Sequence, residues 1–533
     1  MGDWFIHLSI LFRRLVLRRV PVKFFALLLS ACIAVPAFAQ ERPKPDDAAK
    51  HDDEKTVPIP PEKTSTTHHD ITLGGRAIHY TATAGTLLIH GDDDKPYGSM
   101  FYVAYTEDGA DAKSRPVTFL YNGGPGSATL WLHMGSVGPV RVVTSSPAAT
   151  GAAPYQVVTN QYSLLDKTDL VFIDAPLTGF SKAVGKATDK DFRGVDQDLK
   201  AFDRFIQRYI TVNQRWNSPK FLMGESYGTT RSAGLAGMLQ ESGVSLNGVI
   251  LVSSILNYNV EAPGLDVEYV GNLPSYAAIA WYHNKIPNKP ADIKAFLNDV
   301  RAFARGEYAE ALSEGDLISA EKTDAVATKL SAYTGLSVQY LKETKLRINA
   351  SRFRKELLRD EGEILGRYDA RFEGTDTDNA GETPGYDPSD SGIAGAFTAA
   401  FHDYLTRELK WETTDTYYVH TEGNTPWDQT HRPSGGGGRG GFGGQRMPDV
   451  AIDLADAMRK NPKLKVFSAN GLFDLATPFF LTEYDLAHMM VTPELAKNVE
   501  FGYYPSGHMI YLNVEALKDL TRDLDGFYGE VLK

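Results

Sequence analysis

Six short apolar runs stand out along the chain, and each is continuous rather than alternating. They are VTFLY (117–121), LVFID (170–174), KFLMG (220–224), GVILVSS (248–254), KLKVFSA (463–469) and VEFGYY (499–504). Continuous apolar strands are typical of a sheet buried on both faces. Between the second and third runs, apolar residues recur at spacings of 4, 3, 4 and 3, which predicts a helix through Val195, Leu199, Phe202, Ile206 and Tyr209. Strands that alternate with helices predict a mainly parallel α/β sheet.

Two stretches depart from this rhythm. Upstream, residues 71–91 and 99–108 alternate between apolar and polar positions and predict an antiparallel meander. Residues 261–395 read as mostly helical, with charged faces. We interpret that segment as a helical cap, inserted between strands and lying over their carboxyl ends.

The N-terminus carries the features of a cleaved secretory signal. An apolar run at 24–39 ends in Ala-Phe-Ala and follows five basic residues, Arg13, Arg14, Arg18, Arg19 and Lys23. At 16 residues the run is shorter than the roughly 20 that a membrane-spanning helix needs. We therefore predict a signal peptide at 1–39 and export to a periplasm or to the medium. The alternative is a lipoprotein box that ends at Cys32, with lipid on that cysteine.

Low-complexity segments set the predicted domain limits. Residues 40–67 are proline-rich and charged, which predicts a flexible leader, and the catalytic domain is then expected at 68–533. The glycine-rich stretch at 434–446 resembles an RNA-binding segment but has only two arginines. A mobile surface loop is the better interpretation.

Composition and charge exclude several classes of protein. With 533 residues and 42 % hydrophobic content, the chain can bury a large core. Its net charge of −12 argues against nucleic acid or anionic membranes as partners. Cys32 is the only cysteine, so catalysis by a thiol and metal sites built on cysteines are excluded for the mature chain. These features leave the oligomeric state open.

One serine has the setting of a nucleophile. Ser226 lies in GESYG (224–228), a pattern that 48 glycines make common by chance. Its context makes the pattern specific, because an apolar strand precedes it and a helix-compatible stretch follows. That is the arrangement of the nucleophile elbow in α/β-hydrolases. The alternative is a small residue in a glycine-rich turn.

In this architecture an acid and a histidine should follow the serine in that order. Asp474 comes shortly after the fifth apolar run, and His508 directly after the sixth. His488 is the only other histidine beyond Asp474, and it falls within a helical pattern. The glycine-rich turn YNGGPGS (121–127) follows the first parallel strand, where α/β-hydrolases place an oxyanion-hole loop. It lacks the spacing of a phosphate-binding loop, and we predict neither a metal nor a cofactor.

Taken together, these motifs resemble the serine carboxypeptidase family, an exported branch of the α/β-hydrolases. The matching blocks are NGGPGS to GSVGP (122–139), NQYSLL (160–165), DLVFIDAPLTGFS (169–181), GESYG (224–228), NGLFDLATPF (470–479) and SGHM (506–509). The expected fold is an α/β-hydrolase with a mainly parallel central sheet, flanking helices and a cap insertion. The expected function is release of C-terminal amino acids from peptides through an acyl-serine.

The resemblance implies roles for eight residues. Ser226 would be the nucleophile, His508 the general base and then acid, and Asp474 the group that orients the imidazole. The backbone N–H groups of Gly124 and Tyr227 would form the oxyanion hole. The substrate's free carboxylate would be bound by Asn122, Gly123 and Glu225.

One departure from the family pattern bears on pH. Ser136 stands where the family has a second glutamate that shares a proton with the first. Without that partner, Glu225 loses one reason to stay protonated, which predicts a pH optimum above the acidic range of the family. Two other functions stay open on this fold: a different esterase, acyltransferase or peptidase with the same triad, and a non-catalytic binding protein.

Overall fold

The computed structural model describes residues 56–423, 425–434 and 444–533. The predicted signal peptide (1–39) lies outside these ranges, as do residues 40–55 of the predicted leader and 435–443 of the glycine-rich loop. Within the described ranges, we find no helix that combines the length and apolar character needed to cross a membrane.

A ten-stranded sheet forms the centre of the molecule, in the order β1-β2-β3-β7-β4-β9-β10-β13-β14, with β8 paired to β3. Two short pairs, β5–β6 and β11–β12, lie apart from it. The strands are β1 (Thr64–Leu73), β2 (Arg76–His90), β3 (Pro96–Glu107), β4 (Val117–Tyr121), β5 (Val140–Val142), β6 (Val157–Thr159), β7 (Asp169–Ile173), β8 (Lys182–Ala183), β9 (Lys220–Ser226), β10 (Gly248–Ser254), β11 (Glu363–Leu365), β12 (Glu373–Thr375), β13 (Lys465–Gly471) and β14 (Val499–Tyr504).

The hydrophobic pattern explains this sheet. Strands β7, β4, β9, β10, β13 and β14 pair in parallel, and they correspond to the six continuous apolar runs. Every position of β4, β7 and β10 is buried, as expected for strands covered on both faces. Strands β1, β2 and β3 pair antiparallel and form the predicted meander. The mainly parallel α/β-hydrolase fold is thereby confirmed.

Fifteen α-helices occur in the described ranges. They are α1 (Leu130–Gly135), α2 (Val195–Val212), α3 (Tyr227–Glu241), α4 (Val267–Tyr282), α5 (Ile293–Phe303), α6 (Ala309–Ser313), α7 (Ala320–Thr334), α8 (Val338–Glu343), α9 (Ala350–Glu356), α10 (Pro388–Ser391), α11 (Ala394–Arg407), α12 (Ala451–Lys460), α13 (Phe479–Ala487), α14 (Pro493–Ala496) and α15 (Val514–Val531). The five apolar residues that predicted a helix between β7 and β9 are all buried on α2.

Between β10 and β13 the described part of the chain forms nine α-helices, α4 to α12, rather than one crossover helix. Helices α4 to α9 share an apolar core of their own, which also includes Leu472, Phe473 and Leu475 on the loop that follows β13 and Phe479 at the start of α13. The inserted helices therefore pack directly against the loop of Asp474. Helix α11 runs to Arg407, so the helical region continues past the predicted limit of 395.

The start of the ordered sheet differs from the prediction. Strand β1 begins at Thr64, inside the range 40–67 that was expected to be a flexible leader. It pairs with β2 from Thr64 opposite Gly85 to Leu73 opposite Arg76. The leader prediction is wrong for residues 64–67, because an edge strand with one solvated face can be polar and still be held by backbone hydrogen bonds.

Candidate active site

Ser226 lies at the sharp turn between β9 and α3. Its backbone has φ 61° and ψ −131°, a left-handed conformation that is uncommon for a residue with a side chain. A Cβ atom on Gly224 would lie 2.0 Å from the carbonyl oxygen of Gly228, so only glycine permits strand and helix to approach this closely. The chain thus forms the nucleophile elbow that the GESYG pattern predicts.

Asp474 and His508 meet as the sequence order predicts. Asp474 is fully buried, and its Oδ2 accepts a hydrogen bond from Nδ1 of His508 at 2.8 Å. The other carboxylate oxygen, Oδ1, accepts the backbone N–H groups of Ala476 and Thr477 at 2.7 and 3.0 Å. The hydroxyl of Thr477 donates to Oδ2 at 2.8 Å. These contacts fix the carboxylate behind the imidazole.

His508 is itself held on both sides. Its backbone N–H donates to the carbonyl oxygen of Tyr368, and its carbonyl oxygen accepts the hydroxyl of Ser253 at 2.6 Å. Burial by itself would lower the pKa of His508, but the charge of Asp474 and its hydrogen bond raise it above its ordinary value. Because Nδ1–H is committed to Asp474, Nε2 is the nitrogen left to accept a proton.

Ser226 and His508 line one cavity of about 320 Å³, together with Asn122, Gly123, Gly124, Glu225 and Tyr227. The cavity therefore brings together seven of the eight residues proposed for the site, and Asp474 lies buried directly behind His508. Nowhere in the described part of the chain do three or more histidine, cysteine or acidic side chains form a group that could hold a metal ion.

The glycine-rich loop after β4 packs against the start of α3. A Cβ atom on Gly123 would lie 2.4 Å from the backbone nitrogen of Tyr227, so this contact requires glycine. Gly124 has φ +110°, a conformation that favours glycine. Its N–H donates to no other group in the described ranges. Two candidate donors, on Gly124 and Tyr227, thus line the cavity beside Ser226, at the positive end of the α3 dipole.

Glu225 and Asn122 form a second buried group in the same cavity. Nδ2 of Asn122 donates to Oε1 of Glu225 at 2.6 Å, and the hydroxyl of Tyr511 donates to the same oxygen at 3.3 Å. Oδ1 of Asn122 accepts the N–H of Leu132 at 2.8 Å, which fixes the amide's orientation. The second oxygen of Glu225, Oε2, is buried and has no hydrogen-bond partner in the described part of the chain.

Burial raises the pKa of Glu225 to about 7, although His508, Tyr511 and Asn122 each act to lower it. Near neutral pH, Glu225 therefore carries a proton for much of the time and can present a carboxylic O–H to the cavity. A partner glutamate is not needed for this. Ser136, the residue in its place, is fully buried and its Oγ donates to the carbonyl oxygen of Leu132.

Sequence reasoning missed several residues in and behind this cavity. Thr477, Tyr511 and the ion pair between Arg231 and Asp198 all contact predicted site residues or their backbone. The ion pair had a detectable signal. Asp198 falls on the apolar face of α2, three residues after Val195, and a carboxylate there implies a buried partner. Tyr511 had no comparable signal.

Comparison with known proteins agrees with the motifs. Residues 81–289 match the family model described as serine carboxypeptidase. This range contains the YNGGPGS loop, the GESYG elbow and the strands that carry them. The resemblance to the serine carboxypeptidase family is thereby confirmed.

Two curated relatives carry carboxypeptidase names. The pheromone-processing carboxypeptidase KEX1 of Cryptococcus gattii is 28 % identical over 141 residues, which is 26 % of this chain and 20 % of that protein. The serine carboxypeptidase-like 29 protein of Arabidopsis thaliana is 30 % identical over 134 residues, or 24 % of this chain and 26 % of that protein. The chain thus spans about a fifth to a quarter of the length of the curated relatives that it matches.

Among solved structures, a prohormone-processing carboxypeptidase from Saccharomyces cerevisiae aligns with 84 % of this chain and 91 % of its own, with a TM-score of 0.49 and 14 % identity. A proline iminopeptidase from Mycobacterium smegmatis aligns with 84 % of this chain and 98 % of its own, with a TM-score of 0.34 and 13 % identity.

Proposed function

We propose that the protein is a serine-type carboxypeptidase, which releases the C-terminal amino acid of a peptide through an acyl-enzyme on Ser226. One observation carries this proposal: a single cavity holds both a Ser-His-Asp arrangement and a buried, partly protonated Glu225 whose Oε2 has no protein partner in the described ranges. An esterase has no use for the second feature, whereas a peptide with a free C-terminus brings a carboxylate that can accept from it.

Substrate recognition follows from the donors on this side of the cavity. A peptide's C-terminal carboxylate would accept hydrogen bonds from Oε2–H of Glu225, from the second hydrogen on Nδ2 of Asn122 and from the N–H of Gly123. Hydrogen bonds to a charged acceptor are the stronger kind, at about 1.5–3 kcal/mol each. An ionised Glu225 would instead repel the carboxylate.

Acylation proceeds at the other side of the cavity. The Oγ of Ser226 attacks the carbonyl carbon of the last peptide bond, while Nε2 of His508 takes the hydroxyl proton. The carbonyl oxygen becomes an oxyanion that the N–H groups of Gly124 and Tyr227 stabilise, each typically by about 3 kcal/mol. His508 then gives its proton to the leaving nitrogen, the C–N bond breaks, and the free amino acid departs.

Deacylation repeats these steps with water. His508 removes a proton from a water molecule, the resulting hydroxide attacks the acyl carbon, and the proton returns to Oγ of Ser226 as the ester bond breaks. Asp474 keeps Nδ1 protonated in both half-reactions and stabilises the imidazolium. These side chains and water are sufficient for the reaction, without a metal or a cofactor.

The proposed mechanism requires one group to be deprotonated and another to be protonated, so activity should fall at both low and high pH. Catalysis needs a neutral His508, whose pKa is raised, and recognition needs a protonated Glu225, whose pKa is about 7. The two groups interact, so their titrations belong to the pair. We expect a bell-shaped profile centred near neutral pH, above the acidic optimum of the family.

We further propose that the protein is exported, with peptides in a periplasm or in the medium as its substrates. The support is the basic and apolar pattern at 1–39, which lies outside the described residues.

The test compares a blocked dipeptide that has a free C-terminal carboxylate with its C-terminal amide, in the wild type and in Ser226→Ala. We expect the wild type to cleave the free acid much faster than the amide, and the variant to cleave neither. Equal cleavage of the two would move the assignment to a general peptidase or esterase. Failure to cleave either would favour a binding protein.

A further inference from the structure

A buried arginine lies directly behind the loop that we propose binds the substrate carboxylate. Arg231 is on α3, four residues after Tyr227, and its side chain is fully buried. Its guanidinium forms two parallel hydrogen bonds with Asp198 of α2, from Nε to Oδ2 at 2.7 Å and from Nη2 to Oδ1 at 3.0 Å. The remaining terminal nitrogen, Nη1, donates to the backbone carbonyl oxygen of Asn122 at 2.8 Å.

The arginine is held rigidly in this position. Its guanidinium carbon lies 4.1 Å from the ring centroid of Phe202, 5.1 Å from that of Tyr121 and 5.4 Å from that of Tyr227. The forked pairing with Asp198 sets the plane of the guanidinium, and the rings enclose it. The Asn122 carbonyl therefore meets a fixed, charged donor.

This contact determines where the next N–H points. The peptide bond between Asn122 and Gly123 is trans, so its C=O and N–H point in opposite directions. With the carbonyl directed back to Arg231, the N–H of Gly123 is directed away from Arg231. It donates to no other group in the described ranges, and Gly123 lines the cavity. A charged donor on the carbonyl also polarises the peptide and makes its N–H a stronger donor.

The neighbouring peptide has a different anchor. The carbonyl oxygen of Gly123 accepts the N–H of Ser127 at 3.1 Å, within the loop itself. That contact orients the N–H of Gly124, the proposed oxyanion donor. Separate interactions thus orient the loop's two proposed donors: the contact with Arg231 orients the N–H of Gly123, and the contact with Ser127 orients the N–H of Gly124.

We propose that Arg231, held by Asp198, is a positioning residue for carboxylate recognition: it orients the Asn122–Gly123 peptide so that the N–H of Gly123 meets the substrate's C-terminal carboxylate. The inference rests on the proposed function and names a residue outside the family motifs quoted above. It separates recognition from acyl transfer, because Ser127 anchors the peptide of the Gly124 donor and neither Arg231 nor Asp198 hydrogen-bonds to a triad residue in the described ranges.

The experiment measures kcat and KM for two substrates. The first is a blocked dipeptide with a free C-terminal carboxylate. The second is a blocked amino acid methyl ester, which needs the triad and the oxyanion hole but has no C-terminal carboxylate. The main variant is Asp198→Leu/Arg231→Met, since removing one charge alone would leave the other buried and unpaired.

For the double variant we expect KM of the free acid to rise at least about tenfold, with kcat of both substrates within about threefold of wild type. Arg231→Lys keeps a cation and a hydrogen-bond donor but loses the two-pronged pairing with Asp198. Its KM for the free acid should therefore lie between the values of the wild type and the double variant. If the double variant does not fold, as judged from its melting transition, Arg231→Lys replaces it. The expected result is the same: a higher KM for the free acid, with kcat little changed for either substrate.

The matched control is Lys355→Met/Asp376→Leu. It also removes a buried ion pair, with its atoms 2.6 Å apart, but neither residue lines the cavity. We expect this control variant to change the kinetic constants for the free acid and for the ester by the same factor.

Two results would overturn the inference: a parallel loss on acid and ester in the Arg231 variants, or no change in the KM of the acid. A wild-type enzyme that hydrolyses the ester but not the free acid would overturn the proposed function and this inference with it.

Discussion

The two sides of the active-site cavity differ in how complete they are. On the acyl-transfer side, both oxygens of the Asp474 carboxylate are hydrogen-bonded, and His508 is anchored through Nδ1, its N–H and its carbonyl oxygen. On the recognition side, Oε2 of Glu225 is buried and has no hydrogen-bond partner among the described residues. The N–H of Gly123, which lines the cavity, has no acceptor among them.

This difference indicates what the substrate has to supply. A buried polar group without a partner is costly, and one that faces a cavity can be satisfied by a ligand that enters it. The fold alone fixes the Asp474–His508 pair, whereas a substrate carboxylate would complete the hydrogen bonding of the recognition group. The two sides should therefore respond differently to mutation and to pH.

The largest expected effect is on the acyl-transfer side. Ser226→Ala should lower kcat by about 10⁶-fold for the free acid and the ester alike, because both substrates need the nucleophile. Steady-state kinetics with both substrates measures this, and an unchanged melting temperature would show that the fold is intact. A variant that still hydrolysed the ester would mean that another residue is the nucleophile.

Asp474→Asn should lower kcat by about 10⁴-fold for both substrates, since an amide at this position favours the wrong tautomer of His508. The matched control is Asp485→Asn, a buried carboxyl on α13 that does not line the cavity. If the two variants lost equal activity, the contact between Asp474 and His508 would have no special role.

On the recognition side, burial of Glu225 should make the free energy of unfolding depend on pH. The folded pKa of Glu225, about 7, exceeds its ordinary value of 4.5, so the folded state holds a proton that the unfolded state has released. Stability should fall as pH rises from about 4.5 to 7. Glu225→Gln removes this titration, so relative to wild type it should gain about 3 kcal/mol between pH 4 and pH 8.

Denaturant unfolding at the two pH values measures that gain. The control is Asp174→Asn, at a second buried carboxyl whose pKa burial raises to about 7. It should gain stability in the same direction while leaving the acid-to-ester preference unchanged. A stability difference for Glu225→Gln that does not change with pH would contradict the raised pKa.

A smaller effect is expected at Thr477. Its hydroxyl donates to Asp474 and lies 3.1 Å from Nδ1 of His508, so Thr477→Val should lower kcat/KM roughly fivefold for both substrates. A change confined to the free acid would place Thr477 in recognition rather than in acyl transfer. Thr482→Val, on a buried threonine of α13, is the matched control.

Much of the acyl-transfer side could be predicted from the sequence. The strand pattern, the glycine spacing and the order of Ser226, Asp474 and His508 can all be read along the sequence, because each is a local pattern or an order of residues. The strands of the parallel sheet were predictable for the same reason, since six continuous apolar runs mark them.

The recognition side was only partly predictable. Asn122, Gly123 and Glu225 came from a family resemblance, but their state depends on burial and on distant residues. Tyr511 lies 286 positions from Glu225, and the Asn122 carbonyl lies 109 positions from the arginine that orients it. No local pattern encodes such contacts. The absence of a partner carboxylate predicted a less protonated Glu225, but burial raises the pKa of Glu225 to about 7.

The most direct test of the account is the pH dependence of substrate preference, as the ratio of kcat/KM for the free acid to kcat/KM for the ester from pH 4 to 9. Both substrates need a neutral His508, so the ratio isolates Glu225. In the wild type we predict that the ratio falls as pH rises through about 7, and in Glu225→Gln that it stays level. A wild-type ratio that does not change with pH, or a fall that persists in Glu225→Gln, would contradict the claim that a protonated Glu225 recognises the substrate's carboxylate.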